Sequence, residues 1–135
     1  MILFRPVGLH ELRLIVLSEF RRFPPRLPHQ PIFYPVLDVE YARQIAKDWN
    51  APDPSSGFAG FVTRFEISDS QAAKYPIHSA GASRHRELWV PAQDLVEFNA
   101  HIKDRIVVIE AYPGPEFADT IDAATLLPAE LAKNG

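Results

Sequence analysis

Thirteen prolines divide this 135-residue chain into short segments and limit the length of its helices and strands. Proline lacks a backbone N–H and restricts the residue before it, so it is excluded from helix interiors and central strands. The densest group lies in residues 23–35, Phe-Pro-Pro-Arg-Leu-Pro-His-Gln-Pro-Ile-Phe-Tyr-Pro. This composition predicts an irregular loop over residues 23–30, followed by a short strand over residues 31–36.

Between the prolines, apolar periodicity predicts alternating helices and strands. The alternation in residues 58–67 is the clearest strand signal, and residues 51–57 form a second predicted loop. Helices are predicted over residues 9–20, 38–49, 68–75 and 92–102, and strands over 3–6, 31–36, 58–67, near 77, 87–90 and 105–112. This order predicts an α+β domain with five or six short, mostly antiparallel strands and three or four helices.

The length predicts a single domain over residues 1–135. We expect its core in residues 1–112 and a C-terminal tail in residues 113–135 that is partly helical or disordered. The side chains expected in the core are Ile15, Val16, Ile32, Ile45, Phe61, Phe65, Leu88, Val90, Leu95, Phe98, Val107 and Ile109.

Composition excludes several classes of protein. The net charge of −3 argues against a nucleic-acid-binding surface, which normally carries a clustered basic excess. The chain has no cysteine, which rules out disulfides and a thiol nucleophile. The N-terminus does not resemble a signal peptide, and no apolar run approaches the ~18 residues of a membrane span, so a cytoplasmic protein is expected.

Few motifs of established chemistry are present. The five histidines lack the i, i+4 spacing and acidic company of a zinc site, so no metal is expected. Neither a G-x-S-x-G elbow nor a glycine-rich phosphate loop occurs. The loop over residues 23–30 contains a P-x-x-P pattern, which either docks on an aromatic groove or simply forms a rigid loop of its own fold.

Three polar residues lie within strand-like apolar segments. Glu87 begins an apolar run beside basic neighbours, Arg5 interrupts the first strand, and Tyr34 lies in the second. A carboxylate at a strand end either forms a surface ion pair, here with Arg84 or Arg86, or faces a positively charged transition state. The planar guanidinium of Arg5 is either an exposed edge charge or an inward-reaching anion ligand.

The segments Leu-Phe-Arg-Pro-Val, Ile-Phe-Tyr-Pro and Arg-Glu-Leu-Trp-Val-Pro, which carry these residues, together resemble the ADP-ribosyltransferase superfamily. Its pattern is Arg or His on the first strand, Ser, Thr or Tyr on the second, and Glu on a later strand. The resemblance spans residues 3–112 and implies a split sheet that holds NAD in a cleft between two small sheets. Two features depart from the family: His85 stands where many arginine-modifying members have Glu or Gln, and no Ser-Thr-Ser run follows Tyr34.

The resemblance implies an NAD-dependent mono-ADP-ribosyltransferase or NAD glycohydrolase, with NAD as substrate and an unidentified acceptor. Glu87 would be the catalytic residue, because it would stabilise the oxocarbenium character of the ribose. Arg5 would hold a pyrophosphate or ribose oxygen, and Tyr34 would stack on the nicotinamide or form a wall beside it. His85 would orient the acceptor or carry a proton.

The alternative is a small, non-catalytic binding or interaction domain that uses the same cleft or the proline-rich loop over residues 23–30. The absence of an acidic residue at the position of His85 favours this alternative, since fold resemblance alone does not fix activity.

Overall fold

The computed structural model describes residues 1–79, 81 and 85–132. Its helices are α1 Leu9–Leu17, α2 Val39–Ile45, α3 Asp69–Ala72, α4 Leu95–Ala100 and α5 Ala129–Ala132. Its strands are β1 Ile2–Val7, β2 Ile32–Phe33, β3 Ala59–Ile67, β4 Ile77–Ser79, β5 Arg86–Leu88, β6 Val90–Pro91 and β7 Ile102–Pro113. Helices and antiparallel strands intermix along the chain, which confirms the α+β class.

Three short non-α turns complete the regular structure of the described residues. A π-helical turn, Ala46–Asn50, continues α2, and 3₁₀ turns cover Pro54–Ser56 and Ala92–Asp94. The π turn is closed by the Ala51 N–H, which donates to the Ala46 carbonyl at 3.0 Å. This i→i+5 bond replaces the usual i→i+4 spacing and rotates the residues that follow.

The largest sheet has the order β1-β3-β7, with all neighbours antiparallel. β3 is the central strand, and its residues 59–63 are buried on both faces, whereas Arg64 is exposed and Glu66 is half-buried. Arg5 of β1 lies opposite Thr63 of β3, whose hydroxyl donates to the Arg5 carbonyl at 2.8 Å. This pairing fixes which β1 side chains face each side of the sheet.

Val36 joins this sheet to the remaining strands. It pairs with Phe4 of β1 on one side and with Glu87 of β5 on the other. Phe4 and Val36 exchange two backbone hydrogen bonds, of 2.9 and 2.8 Å. No other residue between 31 and 37, all of which are described, pairs with β1, because this segment turns away and follows β5 and β6. The strands therefore form two groups, the large sheet and the set of β2, β4, β5 and β6. Backbone pairing joins these two strand groups at Phe4–Val36, and the groups separate beside that pair.

Each face of the sheet is covered by helices. On one face, Leu12 and Ile15 of α1 and Phe98 of α4 pack with the inward residues of β1 and β3. On the other face, Ala42 and Ala46 pack against Val36 and Val62. Small side chains let the π turn lie close to β3, and a methyl group at Gly60 would overlap the Ala46 carbonyl oxygen.

Several predicted core positions lie elsewhere. Val107 is 47% exposed, and the buried residues of β7 are Ile106 and Val108. Ile-Val-Val-Ile is apolar throughout, so its sequence does not reveal which alternate residues face inward, and a one-residue shift reverses them. The buried members of the predicted core are Ile15, Phe61, Phe65, Leu88, Val90, Leu95 and Phe98, whereas Val16, Ile32, Ile45 and Ile109 are half-buried.

Residues 115–132 fold back against the large sheet and α1. Leu127 is 3% exposed in the main core, and Ile121 bridges Pro128. Arg13 of α1 is paired with Glu130 of α5. Among the described residues, no helix has the length and apolar character needed to cross a bilayer.

Candidate functional site

A cavity of about 470 Å³ opens at the end of β1, beside the start of α1. It is bounded by the end of β1, the first turns of α1, the proline-rich loop and the turn that contains Ser55 and Ser56. The two loops predicted around prolines, residues 23–30 and 51–57, therefore contribute to the same cavity. Its volume is within the range of small-molecule sites.

Arg5 lies in the wall of this cavity and is already neutralised. Its Nε donates to Glu11 Oε2 at 2.6 Å, and its Nη2 donates to Glu11 Oε1 at 3.0 Å. The guanidinium carbon lies 4.5 Å from the centroid of the Phe33 ring, which adds a cation–π contact. The pairing arises because β1 directs Arg5 inward and the first turn of α1 presents Glu11 to it. The sequence prediction names Arg5 but does not include Glu11.

Arg26 is a second cation in the cavity, which the sequence prediction does not include. Its Nε donates to the Ile32 carbonyl at 3.0 Å, and its side chain is half-buried. Burial lowers the pKa of Arg26, and the positive charge of Arg5 lowers it further, whereas Glu11 and Tyr34 act in the opposite direction. The sequence places Arg26 among prolines, which indicates a loop. A loop has no periodicity, so the sequence does not predict the direction in which the Arg26 side chain points.

Tyr34 lies opposite Trp89 in the antiparallel register that Val36 and Glu87 define. The two rings form an edge-to-face pair with centroids 5.7 Å apart, and His78 stacks on Trp89 at 3.9 Å. The indole Nε1 of Trp89 is buried, with no hydrogen-bond partner among the residues that the structure describes.

Glu87 is half-buried and lies opposite both Val36 and His78. Burial raises the pKa of this carboxyl above its ordinary value, while the positive charges of His78 and His85 oppose the shift. Tyr41 stacks on His85 with ring centroids 4.4 Å apart. Burial, and then the negative charge of Glu87, raise the pKa of Tyr41.

The sequence offers Arg84 and Arg86 as ion-pair partners for Glu87, and the structure gives Arg86 a different partner. Arg86 points to Asp38, with its Nη2 3.4 Å from Asp38 Oδ1. Arg84, the other arginine considered for an ion pair, lies outside the described residues. The described groups that interact electrostatically with Glu87 are therefore imidazoles and a phenol.

The strand register separates the sequence-predicted residues into two groups. Tyr34 and Glu87 share the sheet face of Phe4 and Val36, with His85 close by, whereas Arg5 points to the opposite face. Neither Tyr34 nor Glu87 is among the described residues that line the cavity containing Arg5. Arg26 lines the same cavity as Arg5.

No group of three or more His, Asp or Glu side chains within the described ranges is arranged to hold a metal ion. Comparisons of the chain with protein-family models, with curated proteins and with solved structures found no match.

Proposed function

We propose that this chain cleaves the nicotinamide–ribose bond of NAD and transfers ADP-ribose to water or to another acceptor. The observation that carries the proposal is the half-buried Glu87 carboxylate, which shares a sheet face with Tyr34 beside the separation of the two strand groups. The resemblance of residues 3–112 to the ADP-ribosyltransferase superfamily assigns Glu87 to the same role.

The chemistry requires a negative group facing the ribose. When the glycosidic bond breaks, its electron pair moves to the nicotinamide nitrogen and neutralises the pyridinium, while positive charge develops on the ribose ring. A carboxylate held in a partly desolvated place stabilises that charge more strongly than water does. In the hydrolytic reaction, water then bonds to the ribose carbon and releases one proton.

The aromatic neighbours of Glu87 support a planar leaving group. Tyr34, Trp89 and His78 form a continuous set of ring contacts on its sheet face. Nicotinamide is a planar ring with an amide, and aromatic walls favour such rings through stacking. The buried Trp89 Nε1 has no partner in the described part of the chain, so this donor supports a role in binding the amide oxygen.

Measurement of nicotinamide release from NAD by the parent, Glu87→Gln and Glu97→Gln tests the proposal. Glutamine keeps the shape of the side chain and removes the charge, so Glu87→Gln should lower turnover by about 10²–10³-fold. Glu97 is an exposed glutamate of α4 paired with Lys74, so its replacement should leave turnover unchanged.

Equal turnover by Glu87→Gln and the parent, or no nicotinamide release by the parent, would contradict the proposal. NAD-induced thermal stabilisation without any release would instead support the non-catalytic binding domain that the sequence leaves as the alternative.

A further inference from the structure

The cavity at the end of β1 contains an excess of positive charge. Among the described residues that line it are two guanidinium groups, those of Arg5 and Arg26, and one carboxylate, that of Glu11. That carboxylate forms a two-bond fork with Arg5 and is thereby committed to it. Glu11 also acts on Arg26 electrostatically but makes no ion pair with it. The charge of Arg26 is therefore incompletely compensated.

The donors of Arg26 are also incompletely used. Its Nε bonds the Ile32 carbonyl, while its two terminal nitrogens have no hydrogen-bond partner among the described residues. Neither terminal nitrogen is among the buried, unpartnered atoms of the described residues, so both are open to solvent and to a ligand. A ligand with negatively charged oxygens would satisfy both requirements at once.

The loop that carries Arg26 is held in place before any ligand arrives. Leu27 N–H donates to the Gln30 side-chain oxygen at 3.1 Å, and Gln30 N–H donates to the Leu27 carbonyl at 2.9 Å. Pro24, Pro25 and Pro28 restrict the backbone on both sides. A prearranged guanidinium loses little entropy on binding, which favours affinity.

We propose that Arg26 binds the diphosphate of a nucleotide ligand in this cavity, whose wall includes the Arg5–Glu11 pair. The choice of a nucleotide diphosphate rests on the proposed function. The two terminal nitrogens of a guanidinium match two phosphate oxygens in a fork. Ser55 and Gln30 line the same cavity and add neutral donors.

Calorimetric titration with ADP-ribose tests this site, with inorganic pyrophosphate as competitor and adenosine as the uncharged ligand. The variants are Arg26→Gln, Arg26→Lys and the matched control Arg21→Gln, an exposed arginine outside the cavity. We expect Arg26→Gln to weaken ADP-ribose binding at least tenfold. Arg26→Lys should have an intermediate effect, because it keeps the charge and loses the fork, and Arg21→Gln should have none. Thermal unfolding of each variant identifies any loss of folding, and Arg26→Lys keeps the test decisive if Arg26→Gln does not fold.

The site is overturned if the parent does not bind ADP-ribose, if pyrophosphate does not compete, or if Arg26→Gln binds ADP-ribose as the parent does. Equal weakening of ADP-ribose and adenosine would also overturn it, because that result indicates a general change of shape. The proposed function fails separately: a parent that binds ADP-ribose through Arg26 without releasing nicotinamide from NAD keeps the diphosphate site and loses the catalytic proposal. Conversely, if Arg26→Gln releases nicotinamide from NAD with an unchanged KM, the catalytic proposal is kept and the diphosphate site is lost.

Discussion

Individual side chains determine the balance of charge at this site. Glu87 is half-buried on a sheet face without a described arginine or lysine partner, whereas Arg5 is buried with its counterion in place. The first arrangement makes ionisation unfavourable and is typical of residues that act on a ligand. The second neutralises a charge and contributes to the stability of the fold.

The pH dependence of stability should reveal the environment of Glu87. Burial raises its pKa, so the folded protein binds this proton more tightly than the unfolded chain does. Stability from Glu87 is therefore fully present below the unfolded pKa and is lost as the pH rises through the folded pKa. Glu87→Gln cannot ionise, so its Tm should equal or exceed that of the parent at pH 8, and the difference should shrink near about pH 4. The expected burial of Glu87 would be contradicted if Glu87→Gln had a lower Tm than the parent at pH 8 and this deficit were smaller at pH 4.

The Arg5–Glu11 pair should behave as a buried ion pair. The side chains are 10% and 21% exposed, so removing one charge leaves the other poorly solvated. Glu11→Gln should lower the free energy of unfolding by about 3 kcal/mol. The double variant Arg5→Met/Glu11→Leu should lose much less, because no unpaired charge remains. Urea denaturation measures both, with Glu97→Gln as the exposed-pair control, and equal losses in the single and double variants would contradict the expectation.

At the scale of the elements, the sequence predicts a structure well where its pattern has only one interpretation. The alternation of residues 58–67 predicts β3, and the spacing of Leu12 and Ile15 predicts the buried side of α1. The predicted helix over residues 9–20 ends early at Leu17, because Glu19 and Phe20 adopt positive φ angles of 61°. Such ends depend on packing that local sequence does not encode.

Two elements show why the remainder was not predictable. The π turn after α2 changes the angular spacing of side chains at the end of the helix predicted over residues 38–49, so the apolar Trp49 is 70% exposed. In α4, Leu95 and Phe98 point inward as predicted, but Val96 is 82% exposed. The partners at the site were harder still to predict, since Glu11 and Arg26 meet Arg5 only through tertiary packing.

The contact between the π turn and β3 should tolerate no added methyl group. The overlap at Gly60 is with a backbone carbonyl, that of Ala46, so no rotation of a side chain can relieve it. Gly60→Ala should lower the free energy of unfolding by about 2–3 kcal/mol, as overpacking in a close-packed interior does. Chemical denaturation measures this loss, and an unchanged unfolding midpoint would show that the π turn moves freely away from the strand.

At the scale of the whole molecule, the segment after β7 belongs to the same core as the large sheet. Leu127 packs in the main apolar cluster, whereas Leu17 of α1 is 78% exposed. Leu127→Ala should therefore lower the free energy of unfolding by about 2–4 kcal/mol in one cooperative transition. Leu17→Ala is the matched control and should change it by about 0.5 kcal/mol or less. A small effect of Leu127→Ala, or a separate early transition, would show instead that residues 115–132 unfold independently.

The pairing of Phe4 with Val36 is a backbone link between the two strand groups. Each of these residues donates its amide proton to the other's carbonyl, so separation of the strand groups at this pair exposes both protons to solvent together. Their amide hydrogen exchange thus reports how often the two strand groups part, independently of any assay of chemistry. A molecule that bridges the separated strands would slow exchange at both amides in parallel, whereas one that binds elsewhere without stabilising the fold would leave them unchanged.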